Sequence, residues 1–544
     1  MNRRNLLKNM ALAAPAAWLP GALASRSLRL ASAPTPFAPT WESLAQYQVP
    51  DWFRDAKFGI WAHWGPQCQP EHGDWYGRLL YEEGSDDYKF HVAKYGHPSK
   101  FGFKDVINEW KAESWNPDQL VDLYRRAGAK YFVALANHHD NFDLYQSTHQ
   151  PWNSTRLGPR QDIIGGWAKA AKKHGLRFGV SVHAAHAWTW YETARQADKT
   201  GPLAGVPYDG RLTAAAGRGQ WWQGYDPQAL YAQNHAPSAA QTPGASPRQW
   251  DWGDGASRPD RAYCEKFYQR TVELLDKYEP DLVYFDDTAL PLWPVSDVGL
   301  RVAAHYYNTN RQRHGGQLEA VVTGKILNEQ QRRCLVWDVE RGQSNRLEPL
   351  PWQTDTCLGQ WHYDRRIFEQ HGYKSAQTVV HTLVDVVSKN GNLLLSVPVR
   401  GNGTIDTDEL AIVESITAWM AVNGESIYGT RPWQVFGEGP AQAQAAQLSA
   451  QGFNEGKGLA FEARDIRFAT KGDVLYATAL GWPAEGQLLI TALAAGNPLR
   501  PQPVRQVELL GHGPVAFERT AQGLLLRLPA QPAAGLAYAF KIKG

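Results

Sequence analysis

The segment Pro280-Asp-Leu-Val-Tyr-Phe-Asp286 is a short apolar run, rich in residues that favour β-strands, which stops at a carboxylate. Seven further runs of this kind lie between about residues 57 and 400, and amphipathic helical patterns separate several of them. Because short apolar strands that alternate with helices are typical of a covered parallel sheet, the runs predict an α/β fold, an irregular (β/α)8 TIM-like barrel. The predicted strands are Phe58–His63, Tyr131–Ala136, Phe178–His183, Leu282–Asp286, Leu318–Val322, Leu335–Val339, Cys357–Trp361 and Asn392–Val397.

Two of the predicted helices have clear ends in the sequence. Before the second strand, Asn116 is a cap, Pro117 fits the first helical position and Gly128 stops the helix. Between the second and third strands, residues 162–173 place their apolar side chains on one side of a helix that Gly175 ends. No clear helical pattern precedes the sixth or seventh strand, so we expect the second half of the barrel to be irregular.

Two regions depart from this alternation. Residues 184–258 form an insertion rich in Gly, Ala and Trp that is far longer than an ordinary loop, and in a barrel it would cover the active-site mouth. From about Pro432 the pattern changes to short strands such as Val474–Leu480 and Gln487–Leu493, separated by Gly and Pro turns. We therefore predict a catalytic barrel over residues 40–430 and a C-terminal antiparallel β-sandwich over residues 431–544.

The composition excludes some classes of protein. The 56 Lys and Arg nearly balance the 54 Asp and Glu, and they are dispersed, so a nucleic-acid partner is not expected. The 23 Trp, 23 Tyr and 18 Phe offer flat faces that pack against sugar rings, although a large core also uses Trp. The four cysteines lack the CxxC spacing of a metal or redox site, so buried free thiols are expected and no cofactor is predicted.

The first residues have the features of an export signal. Arg3-Arg4 begins it, the apolar stretch Met10–Leu19 continues it, and Ala22-Leu23-Ala24 provides a small-residue cleavage site. The basic start resembles a twin-arginine signal, which predicts a signal peptide over residues 1–24 and a periplasmic or secreted bacterial protein. Because no later stretch reaches the roughly 18 apolar residues that a membrane span needs, membrane association is not expected.

Two carboxylates stand at strand ends, where a barrel of this kind carries its active site. The fourth predicted strand ends at Asp286, and Glu340 follows the sixth. Glycosidases need two such groups, one on each side of the bond that they break. An Asp after a strand is also a common helix cap, so Asp286 alone would be ambiguous. Glu329 and Glu348 are rivals of Glu340, but they lie in polar loops.

Histidines follow the first three predicted strands, at His63, His138-His139 and His183. Adjacent histidines on an extended segment point in opposite directions, and the H-x-x-x-H spacing of helical zinc sites is absent. We therefore predict that these side chains bond sugar hydroxyls and that no metal is present, although His63 taken alone also fits a buried core histidine.

The same regions contain several segments that resemble, in order, the α-L-fucosidases of glycoside hydrolase family 29 and cover most of residues 40–430. The segments are Lys57-Phe-Gly-Ile-Trp-Ala-His63-Trp-Gly65, Asp74-Trp75-Tyr76, Gly128-Ala-Lys-Tyr-Phe132 followed by His138-His139-Asp140, Pro280-Asp-Leu-Val-Tyr-Phe-Asp286 and Ser388-Lys-Asn-Gly-Asn-Leu-Leu-Leu395. In addition, Gly481-Trp482-Pro483 resembles the C-terminal sandwich of that family.

The resemblance implies an exo-acting, retaining α-L-fucosidase that removes terminal fucose from a glycan. Asp286 matches the nucleophile of the family, and Glu340 is then the expected acid/base. The positions that match the family's fucose-binding residues are His63, Trp75, His138 and His139.

Three positions depart from the family pattern. Asp74 stands where the family commonly has Glu, so its carboxylate is one methylene shorter. His183 stands where the family usually shows tyrosine, and we expect it to have taken over that bond to the sugar. Tyr284 occupies a position where the family often has a Trp against the sugar face. All three are predicted to bind substrate.

Two other functions fit the sequence. A related exo-glycosidase could act on α-L-galactosides, since a small apolar wall rejects an added hydroxyl only weakly. A carbohydrate-binding protein without activity would use the aromatic insertion and would not need Asp286. The sequence leaves four points open: the linkage and leaving-group preference, the oligomeric state, the role of residues 184–258 and glycan binding by the sandwich. The insertion of residues 184–258 is the candidate for leaving-group choice.

Overall fold

The computed structural model describes residues 35–239, 252–253, 255–443, 446–448, 452–531 and 535–544. The predicted signal peptide, residues 1–24, lies outside these ranges, as does Trp250 of the insertion. The strands of the first region are β1 Phe58–Ala62, β2 Tyr131–Asn137, β3 Arg177–Val182, β4 Leu282–Thr288, β5 Val321–Lys325, β6 Val336–Glu340, β7 Trp352–Cys357 and β8 Gly391–Ser396.

These eight strands form a closed parallel barrel in sequence order, in which β8 pairs with β1. Nearly all of their residues are buried, because side chains fill the barrel on the inside and helices cover it on the outside. The predicted (β/α)8 barrel is therefore confirmed.

Two of the strand predictions were placed wrongly. The predicted fifth strand began at Leu318, whereas β5 begins at Val321 and ends at Lys325. The predicted seventh strand, Cys357–Trp361, overlaps the true strand β7 only at Cys357, and β7 carries polar side chains inside the barrel. Gln353 donates to Asp338 (2.8 Å), and Asp355 accepts from a tyrosine hydroxyl (2.6 Å). A search for apolar runs misses such a strand, because its polar groups are satisfied by partners far away in the sequence.

All but the last of the α-helices in the described residues precede the C-terminal sheets, and the last one follows the first strand of those sheets. The helices are α1 Trp41–Leu44, α2 Asp51–Ala56, α3 Tyr76–Leu79, α4 Asp86–Tyr95, α5 Phe103–Glu109, α6 Pro117–Arg126, α7 Ile163–Lys173, α8 Ala187–Trp190, α9 Gln228–Tyr231, α10 Arg261–Tyr278, α11 Val298–Arg313, α12 Arg365–Glu369, α13 Ala376–Ser388, α14 Thr407–Asn423 and α15 Pro440–Ala443. Within the ranges described, none of the helices combines the length and apolar character that crossing a bilayer requires.

The two helices with clear sequence signals occur as predicted. Asn116 caps α6 by accepting from the backbone of the first turn, and Asp162 caps α7 in the same way. No α-helix occurs in residues 326–335 or 341–351, all of which the structure describes, so the connections on either side of β6 are irregular as expected.

The described part of the insertion consists of short helices and loops at the carboxyl-terminal end of the barrel. It begins directly after β3 and includes α8 and α9. The Trp190 ring at the end of α8 lies 4.9 Å from the ring of His139, which follows β2. The insertion thus lies against the end of the barrel that was predicted for it.

The C-terminal region contains two antiparallel sheets. Their strands are β9 Arg431–Glu438, β10 Ile466–Lys471, β11 Val474–Ala479, β12 Gln487–Ile490, β13 Gln506–Leu509, β14 Gly513–Pro514, β15 Ala516–Arg519, β16 Leu524–Arg527 and β17 Tyr538–Lys543. One sheet has the order β14-β13-β17-β11-β10-β9 and the other β12-β16-β15. Apolar residues of both sheets, including Phe468 and Leu524, share one core, so the sheets form the predicted sandwich.

Buried charges join the sandwich to the barrel. Asp385 of α13 accepts from Lys389 and from Arg467 of β10, each at 2.5 Å, and all three side chains are almost fully buried. Because removing one partner would leave an unpaired buried charge, this contact holds the two parts in one arrangement. The cysteines Cys68, Cys264, Cys334 and Cys357 are buried and unpaired, as predicted.

Candidate active site

A pocket of about 260 Å³ opens at the carboxyl-terminal end of the barrel strands. It is smaller than the pockets that enclose drug-sized ligands, which suits a single sugar ring. The residues that line it are Trp61, His63, Asp74, Trp75, His138, His183, Tyr284, Asp286, Asp287, Thr288, Lys325, Ile326, Glu340, Trp361, His362 and Phe453. Eight of the nine predicted site residues are in this lining, and the ninth, His139, lies directly behind Asp286.

Asp286, near the end of β4, is held at both of its oxygens. One oxygen lies 2.6 Å from Lys325 Nζ, and the other lies 3.1 Å from His183 Nδ1 and 3.3 Å from His139 Nε2. Burial by itself raises the pKa of Asp286, but the Lys325 ammonium and the two histidine hydrogen bonds outweigh burial and hold the pKa well below its usual range. Asp286 is therefore an ionised carboxylate in a fixed orientation.

Glu340, the last residue of β6, meets the same ammonium. Its Oε2 lies 2.5 Å from Lys325 Nζ. Burial raises the pKa of Glu340, the Lys325 charge opposes that effect and the Asp286 charge reinforces it, with the result that the pKa is about 7. The two carboxyl groups thus differ in protonation below neutral pH, which is the condition for one to act as an acid beside the other.

Lys325, which joins the two carboxyl groups, was missed by the sequence analysis. Burial lowers its pKa, but Asp286 and Glu340 raise it well above the usual range, so the side chain stays charged. Like the other site residues, Lys325 ends a strand, here β5. This signal was overlooked because the predicted fifth strand ended at Val322, three residues too early.

Two histidines of the pocket, His63 and His138, are buried and electrically neutral. Burial, followed by neighbouring imidazoles, lowers the pKa of His63 and of His138 well below the usual value. Neither ring nitrogen of His63 has a hydrogen-bond partner among the described residues. His138 Nδ1 accepts from Gln67 Nε2 at 2.6 Å, so the proton of this neutral ring is on Nε2. Since unsatisfied buried polar atoms are costly, these rings are suited to bonding a polar ligand.

The adjacent histidines His138 and His139 do not point in opposite directions, contrary to the prediction for an extended segment. The His138 and His139 ring centroids lie only 4.3 Å apart, because the chain turns after β2 rather than staying extended. Two groups of three histidines place ring nitrogens within 4.8 Å of one another, namely His63, His138 and His362, and His138, His139 and His183. Neutral imidazoles in this arrangement can hold a transition metal or bond hydroxyls. The absence of a metal stays a prediction.

Aromatic rings form the walls and floor of the pocket. The Trp75 ring lies 5.0 Å from Trp190, and the Trp61 ring lies 5.3 Å from Trp361. Tyr284 donates its hydroxyl to Asp355 (2.6 Å), away from the ligand space, so its ring rather than its hydroxyl faces the pocket. These rings provide the flat apolar surfaces that pack against the C–H groups of a sugar.

Asp74 lines the pocket and also forms hydrogen bonds to the loop after β7. Its carboxylate accepts from the backbone N–H groups of His362 (2.6 Å) and Trp361 (3.1 Å). It therefore holds the loop after β7, which supplies both of these side chains to the pocket. Neither was predicted, because the sequence analysis had placed a strand over Cys357–Trp361.

The rival glutamates lie elsewhere. Glu329 is exposed in the turn after β5. Glu348 is buried between Arg332 and Arg346, 3.1 Å from each guanidinium. Neither lines the pocket, so Glu340 is the carboxyl group that the structure places beside Asp286.

The fold is a closed parallel barrel, and its strand ends place one ionised and one protonatable carboxyl group in a pocket the size of a sugar ring. These features define a glycoside hydrolase. Sequence comparison agrees with this class. The sequence model of the α-L-fucosidase family matches residues 25–425, and that of the α-L-fucosidase C-terminal domain matches residues 461–543. The chain belongs to the α-L-fucosidase family.

Relatives and solved structures match over most of their length. Tissue α-L-fucosidase of Bos taurus is 25% identical over 524 residues, which are 94% of this chain and 92% of that protein. Plasma α-L-fucosidase of Homo sapiens is 26% identical over 504 residues, 91% of this chain and 89% of that protein. The fold is similar to that of Thermotoga maritima α-fucosidase solved with a mechanism-based inhibitor, with a TM-score of 0.66, 24% identity and coverage of 93% and 100%.

Proposed function

We propose that this protein is an exo-acting, retaining α-L-fucosidase that hydrolyses terminal α-L-fucosyl residues of glycans. The observation that carries the proposal is the pairing of Asp286 and Glu340 through one lysine in a pocket that fits a single sugar ring. Membership of the family supports L-fucose as the sugar.

Asp286 acts as the nucleophile. Its carboxylate attacks the anomeric carbon while Glu340 gives its proton to the glycosidic oxygen, so that the bond to the leaving group breaks and a glycosyl-enzyme ester forms. Glu340, now ionised, takes a proton from water, and the oxygen of that water attacks the same carbon and displaces Asp286. Two displacements at one carbon retain its configuration.

The separation of the carboxyl groups supports this mechanism over inversion. Because one Nζ lies within hydrogen-bond distance of both groups, the two contacting oxygens are within about 5 Å of each other, close to the roughly 5–5.5 Å of retaining enzymes and below the range of inverting enzymes. An inverting enzyme needs room between them for a water molecule.

Five other lining residues hold the sugar. We assign hydroxyl contacts to His63 and His138, whose neutral rings face the pocket, and to the free Nε2 of His183. Trp75 and Tyr284 supply ring faces. His139 acts mainly through Asp286, because its Nδ1 lies 2.8 Å from the His183 carbonyl and its Nε2 faces the carboxylate.

The test is release of 4-nitrophenol from the α-L-fucoside and the α-L-galactoside. We expect turnover of the fucoside by the wild type, loss of turnover in Asp286→Ala and partial recovery on addition of azide, which enters the space of the missing carboxylate. Asp287→Ala is the comparison variant: this neighbouring carboxylate lines the pocket but faces His186 at 2.9 Å instead of Lys325, so azide should not restore activity that this variant loses. A fully active Asp286→Ala enzyme, or a preference for the galactoside, would refute the proposal.

We also propose export to the periplasm or the medium, on the basis of the twin-arginine-type signal in residues 1–24. Replacing Arg3 and Arg4 by Lys should leave the activity in the cytoplasmic fraction. Unchanged export of the variant would contradict the proposal.

A further inference from the structure

A segment outside the barrel reaches the active site. The backbone N–H of Phe453 donates to the carbonyl of Glu340 (2.9 Å), and Gly452 forms a parallel β-bridge with the same residue. Two residues later, the N–H of Glu455 donates to the carbonyl of Arg341 (3.0 Å). The segment 452–455 thus continues alongside the end of β6, the strand that carries Glu340.

Side chains fasten this segment on both sides of Phe453. Asn454 accepts from the Gln343 backbone (2.8 Å) and donates back to its carbonyl (2.9 Å). Glu455 pairs with Lys374 (2.9 Å) and accepts from the Thr356 hydroxyl (2.8 Å). The polar contacts that anchor the segment are therefore made by the residues next to Phe453 and by its backbone.

Phe453 adopts a conformation that a bulky residue rarely takes. Its φ is +47°, in the left-handed region, and its side chain is 37% exposed although it is large and apolar. Phe453 lines the pocket, as do Ile326 and Thr288. An unfavourable backbone conformation therefore displays an apolar ring beside the proposed acid/base.

We propose that Phe453, with Ile326 and Thr288, forms the leaving-group subsite and binds the flat apolar face of the sugar ring next to the fucosyl residue. This inference rests on the proposed function. Glu340 protonates the glycosidic oxygen, so the leaving group must extend from the pocket on the side of Glu340. Phe453 is joined to the backbone of Glu340, and among the described lining residues it is the one that comes from beyond the barrel region.

The segment that carries Phe453 lies outside the ranges that the family models match, whereas Ile326 and Thr288 lie inside the first range. Residues 426–460 lie between the two ranges that the family models match. The sequence analysis favoured the insertion of residues 184–258 for leaving-group choice, yet none of its described residues lines the pocket. The structure assigns that choice to the segment around Phe453.

The test compares substrates that share fucose but differ in leaving group. We would measure kcat/KM of the wild type and of Phe453→Ala on a fucosyl disaccharide, on 4-nitrophenyl α-L-fucoside and on α-L-fucosyl fluoride, whose leaving group has no ring. Loss of one ring-stacking contact predicts a drop of about five- to tenfold for the disaccharide. The value for the fluoride and the inhibition constant of free L-fucose should stay within about twofold, since a contact made only with the leaving group contributes nothing to either.

Two variants serve as controls. Phe453→Tyr keeps the ring and should retain the wild-type values. Leu459→Ala removes another exposed apolar side chain of the same region, which does not line this pocket, and should leave every substrate unaffected.

The other possible results would overturn the subsite, its assignment to a sugar, or the proposed function. An equal loss on all three substrates would show that Phe453 only supports Glu340, and an unchanged disaccharide value would show that the ring binds nothing; either result overturns the subsite. A loss confined to the nitrophenyl substrate would overturn the assignment to a sugar. A wild type that hydrolyses no fucoside would overturn the proposed function itself and the subsite with it.

Discussion

Replacing Lys325 by Met removes the charge that joins the two carboxyl groups while keeping a side chain of similar length. Lys325 Nζ lies 2.6 Å from Asp286 and 2.5 Å from Glu340, and only 7% of the lysine side chain is exposed. The exchange would therefore leave two buried carboxyl groups beside each other without a cation between them.

The size of the effect follows from these distances. At an effective dielectric constant of about 20, two unit charges at this separation interact by about 6 kcal/mol. The cost of burying the ammonium offsets part of this energy, and about 3 kcal/mol net would move a titration by about two pH units. Both carboxyl groups lose a cation, so the pKa of each rises. Since the proposed mechanism requires an ionised Asp286 and a protonated Glu340, both limbs of the pH–rate profile should move to higher pH.

The assay is kcat/KM on 4-nitrophenyl α-L-fucoside between about pH 3 and pH 9. This range includes the alkaline limb near pH 7 that Glu340 sets, and it would reveal an acid limb that loss of the lysine moves up into it. Lys325→Arg keeps the charge and should retain the wild-type limbs. A Lys325→Met profile that is lower but unshifted would show that the lysine acts by packing alone and would refute the electrostatic argument.

Three further predictions test the surroundings of this pair. Glu340→Gln should abolish the alkaline limb of the pH–rate profile near pH 7 and lower kcat/KM for a fucosyl disaccharide by about 10²- to 10⁴-fold. If the variant keeps this alkaline limb, the limb belongs to another group. Burial, followed by the charge of Asp355, raises the pKa of Asp338 well above its usual range. The folded protein therefore binds this proton more tightly than the unfolded chain does, and it loses stability as pH rises above the unfolded pKa of about 3.9. The Tm difference between Asp338→Asn and the wild type should therefore shift in favour of the variant as pH rises from about 5 to about 8. A Tm difference that does not change with pH would contradict this prediction. Trp190→Ala removes a buried ring that lies 5.0 Å from Trp75. We expect denaturation to show a loss of about 3–5 kcal/mol in the free energy of unfolding, and kinetics to show a higher KM for the nitrophenyl fucoside. An unchanged KM would exclude a role of Trp190 in shaping the pocket.

The sequence predicted most of the barrel because most of its strands follow one local rule. Strands such as β1 and β4 are apolar on both faces, and a polar residue marks where each one stops. The same rule led to Asp286 and Glu340, since barrel enzymes carry their working groups at these ends. It failed at β7, where Gln353 and Asp355 are buried but hydrogen-bonded, and that error concealed the loop with Trp361 and His362.

What the sequence by itself determined is therefore local: the strand and helix periods, the caps at Asn116 and Asp162, and the order of the family-like segments. Only the tertiary structure decided which of these groups meet. Lys325 is a single residue at the end of β5 until closure of the barrel places it between Asp286 and Glu340, and Phe453 lies more than a hundred residues beyond the carboxyl group that it flanks. Charge and hydrogen-bond energies depend on distances of a few ångströms, and such distances between remote residues are set by the closed barrel and its packing, not by neighbouring residues in the chain.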